Sequence, residues 1–297
     1  MNTLKSIFGT MRAPFLVLTP ACVAVGIGTA YWQTQELNWV NILLVVIGAL
    51  SAHISVNTFN EYFDFKSGLD AKTSRTPFSG GSGTLPANPK LERASFLFSW
   101  MTFAITIAIG GYFVWLQGWQ LLPIGIFGLI LIVTYTIWWV YNPILCLLAP
   151  GLGFGTLMVM GTHFALTGTY SWTSFVASLV PTFLVSNLLL LNQFPDVEPD
   201  QSIGRRHFPI TVGRKKSSIL YGVFLVLAYF SIVAGVLLSL LPVFSVIALL
   251  TAIFAWRAYQ GAKKNAENIP DLIPSMGMNV IINLSTPALL AISLFVG

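Results

Sequence analysis

Long apolar runs broken by short polar stretches make up most of the chain. A helix needs about 20 largely apolar residues to cross the hydrocarbon core of a bilayer. Nine runs approach or meet that length: about 13–32, 39–63, 93–115, 119–140, 144–167, 172–194, 217–240, 242–259 and 276–296. None alternates with period two, and an open sheet edge finds no partners in lipid, so strands are excluded. The pattern predicts an all-α, polytopic membrane protein with nine transmembrane helices in a bundle around a central cavity. The spacing of the polar breaks suggests two four-helix pseudo-repeats followed by a ninth helix. A single domain over 1–297 is expected, capped at one end by two longer polar loops, about 64–93 and 196–216.

Composition removes the soluble alternatives. Hydrophobic residues make up 55% of the 297 and charged ones 8%, against roughly 25% charged in an ordinary soluble domain. The distribution of charge then tests the helix count. With the amino terminus in the cytoplasm, all 15 Lys and Arg residues fall on the cytoplasmic side, and of the ten acidic residues only Glu36 falls opposite. A wrong count would scatter the basic residues, so the positive-inside rule supports this topology in an inner (cytoplasmic) membrane. Lys5 and Arg12 precede the first apolar run, which has no small-residue cleavage site close behind it, so no removable signal peptide is expected. The basic pI of about 9.3 is accounted for by insertion, and nothing points to nucleic acid. Cys22 and Cys146 sit inside apolar runs and read as inert thiols.

Charge beside a bilayer is costly and needs a reason. His53, Asn57, Asn60, Glu61 and Asp64 recur at steps of three and four, forming one polar stripe down the end of the second helix. Lipid offers that stripe no partners, so it must face the bundle interior or a wet cavity. Asn192 and Asp196, with Asp200 beyond, repeat the arrangement at the end of the sixth helix, on the same side. Acids and amides without a His or Cys cluster favour Mg²⁺, with Mn²⁺ able to substitute, over zinc or copper. Mg²⁺ in turn prefers phosphate oxygens as co-ligands. If both motifs share one metal cluster, the second and sixth helices must be neighbours. The loops after the motifs carry Lys66, Lys72, Arg75, Arg205, Arg206, Arg214, Lys215 and Lys216. Arg suits bidentate phosphate binding, while others of these serve topology or lipid headgroups; Lys215 and Lys216 fit the latter.

The segment Arg75-Thr-Pro-Phe-Ser-Gly-Gly-Ser-Gly83 permits tight turns that would wrap a phosphate with amide groups. Gly151, Gly153 and Gly155 lie in an apolar helix, where close helix packing is the better reading. His163 lies mid-helix, where it either orients an acceptor or is satisfied by a neighbouring backbone group.

These residues resemble the UbiA superfamily of intramembrane prenyltransferases over nearly the whole length. The first motif, N-x-x-x-D-x-x-x-x-x-D, stands at Asn60, Asp64 and Asp70; the second, D-x-x-x-D, at Asp196 and Asp200. The phrases Arg75-Thr-Pro-Phe-Ser-Gly-Gly and Asn192-Gln-Phe-Pro-Asp-Val-Glu are most similar to the branch that prenylates 1,4-dihydroxy-2-naphthoate for menaquinone. Two positions depart from the pattern. Glu61 stands where relatives often have Asp, and Gly151-Leu152-Gly153-Phe154 lacks the acidic residue that quinone-pathway relatives often carry there. The resemblance implies a Mg²⁺-dependent transferase that moves a polyprenyl group from its diphosphate to an aromatic acceptor inside the bilayer, at a site open to the cytoplasmic face. It implies metal ligands Asn60, Asp64, Asp70, Asn192, Asp196 and Asp200, of which Asp64 and Asp196 are catalytic. The expected substrate-binding set is Asn57, Asn60, Lys72, Arg75, Arg205, Arg206, Tyr135 and His163. The alternatives are a transferase of the same superfamily with a different aromatic or a non-aromatic lipid acceptor, and a divalent-cation transporter.

Overall fold

A computed structural model describes residues 7–297; Lys5 lies outside the described residues. Among the described residues all regular secondary structure is helical. Eight helices are long and apolar enough to cross a membrane: α1 (Ala13–Thr34), α2 (Trp39–Lys66), α3 (Pro89–Gln117), α5 (Pro143–Thr167), α6 (Trp172–Asn192), α7 (Arg214–Leu237), α8 (Val243–Lys264) and α9 (Ile269–Val296). Between α3 and α5 lies a shorter apolar helix, α4 (Trp119–Thr134). The chain is a multi-pass integral membrane protein.

Local chemistry sets the helix ends. Asn38 begins α2 by accepting from the backbone N–H groups of Val40 and Asn41, and Asn142 begins α5 in the same way for Ile144 and Leu145. Such caps satisfy donors that a helix start leaves without partners, which matters doubly beside lipid. The ninth segment is where pattern and structure part. A helix over 119–140 was expected, but α4 stops at Thr134. Pro143 disfavours helical geometry at the residue before it, and Asn142 is extended, with φ −124° and ψ 123°. The chain therefore turns through Tyr135–Trp138 and a short 3₁₀ segment, Trp139–Tyr141, before α5 begins. Sixteen helical residues span roughly 24 Å, short of the ~30 Å core. The start of α9 moves the other way, from 276 to Ile269, because Pro270 suits a first helical turn.

The cavity is not ringed by all the helices. It is lined by α1 to α6 and the loops after α2 and α6, and no residue of α7, α8 or α9 lines it. Those three helices pack as a solid buttress: α7 lies along α6, α9 along α1, and α8 along α9. The largest buried apolar cluster, with Leu184, Tyr221, Leu272 and Ile282, lies there. Gly151 and Gly155 bear out the packing reading, since a methyl group at either would overlap Thr182 of α6. Gly153 lies between them on the other side, with nothing within 4 Å of the position its Cβ would take. The intervening turns, Leu152–Leu157, form a π-helix, a geometry frequent at functional sites.

Large apolar side chains cover the outside of the bundle, among them Trp39, Trp115, Trp119, Trp138 and Trp172. The long loops meet at one end. Lys66 pairs with Glu92 at 2.9 Å, Arg214 with Glu198 at 2.7 Å, and Lys72 donates to Ser202 at 3.2 Å, tying the first polar loop to the second.

Candidate active site

The last turns of α2 present their polar stripe at this charged end. His53 shares a hydrogen bond with Thr19 at 2.8 Å, and Asn57 donates to the Met11 carbonyl at 2.8 Å. Asn60 accepts from Arg12 at 2.8 Å and donates to Thr136 at 3.2 Å. Asp64 closes the helix and pairs with Arg205. Gly68 then turns the chain at φ 75°, a left-handed geometry that glycine adopts without penalty, which places Asp70 on a single 3₁₀ turn facing back toward α2. At the end of α6, Asn192 is followed by a turn carrying Asp196, and a short helix, Val197–Ser202, carries Asp200. Asp200 receives Arg205 at 3.0 Å on one oxygen and His207 at 3.1 Å on the other.

All six expected metal ligands, Asn60, Asp64, Asp70, Asn192, Asp196 and Asp200, line one cavity of about 650 Å³. Helices α2 and α6 are not neighbours in the sense expected. They make no extended contact and stand across the cavity, with α1 packed on both. Nor is the cluster a finished cage: among the described residues no three acidic, His or Cys side chains are close enough to hold one ion. What the site does hold is unmet oxygen. Asp70 Oδ2, Asn192 Oδ1 and Asp196 Oδ1 are buried without a hydrogen-bond partner, a costly state that a bound cation relieves. Burial, and then the neighbouring charges of Glu61 and Asp64, push the Asp70 carboxyl up to about 7. Burial and Asp200 do the same for Asp196, also to about 7. Burial alone would lower the Arg205 guanidinium, but Asp64 and Asp200 outweigh it and hold it above its ordinary value. Acids that resist ionising where they stand are those that gain most from a cation.

Beyond this polar end the walls are apolar and reach deep, past Phe154 and Leu157 to Phe113, Leu121 and Ala165. Ile107 and Gly111 of α3, and Gly125 and Ile126 of α4, line the cavity yet are exposed on the outer face, marking a side opening between these helices.

The expected substrate-binding residues divide. Asn57, Asn60, Arg205 and Tyr135 line the cavity; Lys72, Arg75, Arg206 and His163 do not. Lys72 is turned to Ser202, as noted. Arg75 is exposed and folds its guanidinium over Gly83, and Arg206 is exposed too. His163 is buried and shares a hydrogen bond with Thr29 at 3.0 Å, so it serves helix packing through a side chain rather than a backbone group. Glu61 points away from the cavity. It accepts from Arg12 at 2.6 Å and from the backbone and hydroxyl of Ser82 at 2.8 and 2.6 Å. The amides of Thr76, Phe78, Ser79 and Ser82 in the glycine-rich loop are already engaged by the protein, while Ser79, Gly80 and Gly81 of the same loop line the cavity.

Two residues emerge that sequence reasoning did not single out. Arg12 lines the cavity, joins Asn60 to Glu61, and holds a left-handed backbone at φ 53°. For a residue with a Cβ this geometry costs about 1 kcal/mol, and such strain concentrates at functional sites. Its charge had been fully explained by topology. His207 fixes Asp200, and its Nδ1 is buried without a partner; no local spacing marked it.

The UbiA prenyltransferase family matches residues 18–279. The chain is 26% identical over 275 residues to a 1,4-dihydroxy-2-naphthoate octaprenyltransferase of Bacillus subtilis (strain 168), covering 91% of this chain and 84% of that one. Its fold is similar to the apo structure of a UbiA homolog from Aeropyrum pernix K1, with TM-score 0.73 at 16% identity over 94% and 98% of the two chains. It is also similar to a UbiA homolog from Archaeoglobus fulgidus bound to DMAPP and Mg²⁺, with TM-score 0.69 at 13% identity over 97% and 99%. The chain belongs to the UbiA prenyltransferase family.

Proposed function

We propose that this protein transfers a polyprenyl group from its diphosphate to an aromatic acceptor of the 1,4-dihydroxy-2-naphthoate type, with Mg²⁺ bound between its two acidic motifs. The observation that carries the reading is the joining of two environments in one cavity. Six oxygen-bearing side chains, three with unmet oxygens, stand at one end, and an apolar chamber with a side opening continues from them. A lipid with a diphosphate head fits both. The corresponding positions of the two motifs, at the ends of the second and sixth helices, are those of two four-helix halves. The positive-inside charge distribution supports a cytoplasmic position for this end.

Asn60, Asp64, Asp70, Asn192, Asp196 and Asp200 would hold the metal through oxygen alone, the donor set that Mg²⁺ takes. When bound, the metal neutralises charge on the diphosphate as the allylic C–O bond breaks. The chain's own groups do the rest. Arg205 offers a planar fork to phosphate oxygens, and Arg12, also lining the cavity, donates to Asn60 Oδ1 and to Glu61. Tyr135, just past the early end of α4, lines the cavity with Gln193, and the neighbouring Thr136 accepts from Asn60. The apolar walls keep water from an electron-poor allylic carbon, so an electron-rich aromatic carbon can reach it first. The gap between α3 and α4 lets a long tail run out into lipid.

Membranes carrying the protein, given labelled polyprenyl diphosphate, should label 1,4-dihydroxy-2-naphthoate, lose that activity with EDTA and regain it with Mg²⁺. Label appearing only in a glycerophosphate acceptor would replace the acceptor assignment, and transfer unaffected by EDTA would remove the metal.

A further inference from the structure

The two acidic motifs are bridged by a cation that belongs to the chain. Arg205 directs Nη2 to Asp64 Oδ1 and Nη1, at 3.0 Å, to Asp200 Oδ1. Its side chain is only 11% exposed. Its Nε is buried and unpartnered, so the guanidinium is held by the two acids and nothing else. Asp200 is also gripped on its other oxygen by His207, which keeps it in place when Arg205 leaves. The ligand set therefore falls into two parts. Asp70, Asn192 and Asp196 carry unmet oxygens, while Asp64 and Asp200 are engaged by Arg205 and Asn60 by Arg12.

We propose that Arg205 is an internal stand-in for the metal: it occupies the cation position between Asp64 and Asp200, and yields it to a divalent ion by turning its guanidinium to the donor's diphosphate. The inference rests on the metal–diphosphate reading above. Mg²⁺ needs the carboxylate oxygens directly, at about 2.1 Å, and two cations crowded on the same oxygens repel each other. Arg205 must therefore give up the oxygens it shares before the metal can use them, above all at Asp200, whose other oxygen is held by His207. Metal affinity is then reduced by the fraction of chains in which Arg205 has not turned away. A diphosphate changes the balance, because it offers the guanidinium an equally good bidentate partner. Metal and donor then assist each other's binding, and by linkage they do so reciprocally. The pairing also offsets the mutual repulsion of the two carboxylates.

The test measures Mn²⁺ binding to the full chain in lipid nanodiscs by electron paramagnetic resonance, without donor. Arg205→Met should bind Mn²⁺ at least about tenfold more tightly than the wild type, as expected when a competing state populated roughly ten to one is removed. Its metal-free unfolding temperature should fall, and should rise more on adding Mn²⁺. Arg205→Lys keeps the charge, and with it the fold if the Met variant proves unstable, but a point charge cannot span both carboxylates. It should bind with intermediate affinity. Equal or weaker Mn²⁺ binding in the folded variants would overturn the inference and leave Arg205 as a fixed strut. Asp196→Asn separates this failure from that of the parent reading, because Arg205 does not touch Asp196. It should weaken Mn²⁺ binding with or without Arg205, and the absence of any Mn²⁺ binding in all forms would overturn both.

Discussion

Asp64→Asn or Asp196→Asn should each lower turnover at least about a hundredfold, equivalent to about 2.7 kcal/mol of activation barrier, in an assay of labelled prenyl transfer. Asparagine keeps the shape of the side chain and removes the charge that would hold the metal. The two variants should differ in stability, which separates loss of chemistry from loss of fold. Asp64 pairs with Arg205 in the resting structure, so its replacement leaves a buried guanidinium short of a partner and lowers the unfolding temperature. Asp196 carries an unpartnered oxygen and a carboxyl pushed up to about 7. A carboxyl raised in the folded state works against the fold once pH exceeds its ordinary value near 4, most fully above 7. Asp196→Asn should therefore match or exceed the wild type in metal-free stability at pH 8 while losing activity. Near-normal turnover in either variant would contradict the assignment.

The three loop arginines should respond very unequally to replacement by lysine. Arg205→Lys should lower kcat/KM for the donor by roughly ten- to a hundredfold, the range expected for losing one charge-assisted hydrogen bond of about 1.5–3 kcal/mol. Arg75→Lys and Arg206→Lys should stay within about twofold of the wild type, since neither side chain lines the cavity. Steady-state kinetics with varied donor and saturating acceptor decide this. A loss at Arg75 or Arg206 as large as that at Arg205 would mean that the diphosphate is gripped from the loop surface rather than inside the cavity.

That contrast shows where the sequence stopped being informative. A basic residue after an acidic motif looks the same in sequence whether it enters a cavity or meets lipid headgroups, so Arg75, Arg205 and Arg206 were indistinguishable. Arg12 was hidden for the same reason: the topology rule uses only its sign, and its turn toward Asn60 and Glu61 depends on a left-handed backbone that no pattern announced. The acids and amides were legible because charge beside lipid demands a partner. Their periodicity on α2 was enough to turn most of the stripe inward, though Glu61 used its extra methylene to reach Ser82 instead. Helix positions were legible from apolar length. The early end of α4 was not, because Tyr135–Tyr141 carries no charge to mark it, and hydropathy records solvent preference rather than backbone path. Asn142-Pro143 was the available sign. The cavity's displacement toward α1 to α6 depends on tertiary packing of α7, α8 and α9, which no single apolar run encodes.

Both motifs are expected to serve one metal–diphosphate site. The direct measurement is an experimental structure of the protein with Mg²⁺ and an unreactive donor analogue. The expected result is metal density between α2 and α6, touching the analogue's diphosphate, with the Asp64 and Asp196 carboxylates within roughly 8 Å of each other through two bridging ions. A diphosphate bound with those carboxylates more than about 15 Å apart, and no metal joining them, exceeds the reach of any two-ion cluster and would contradict it.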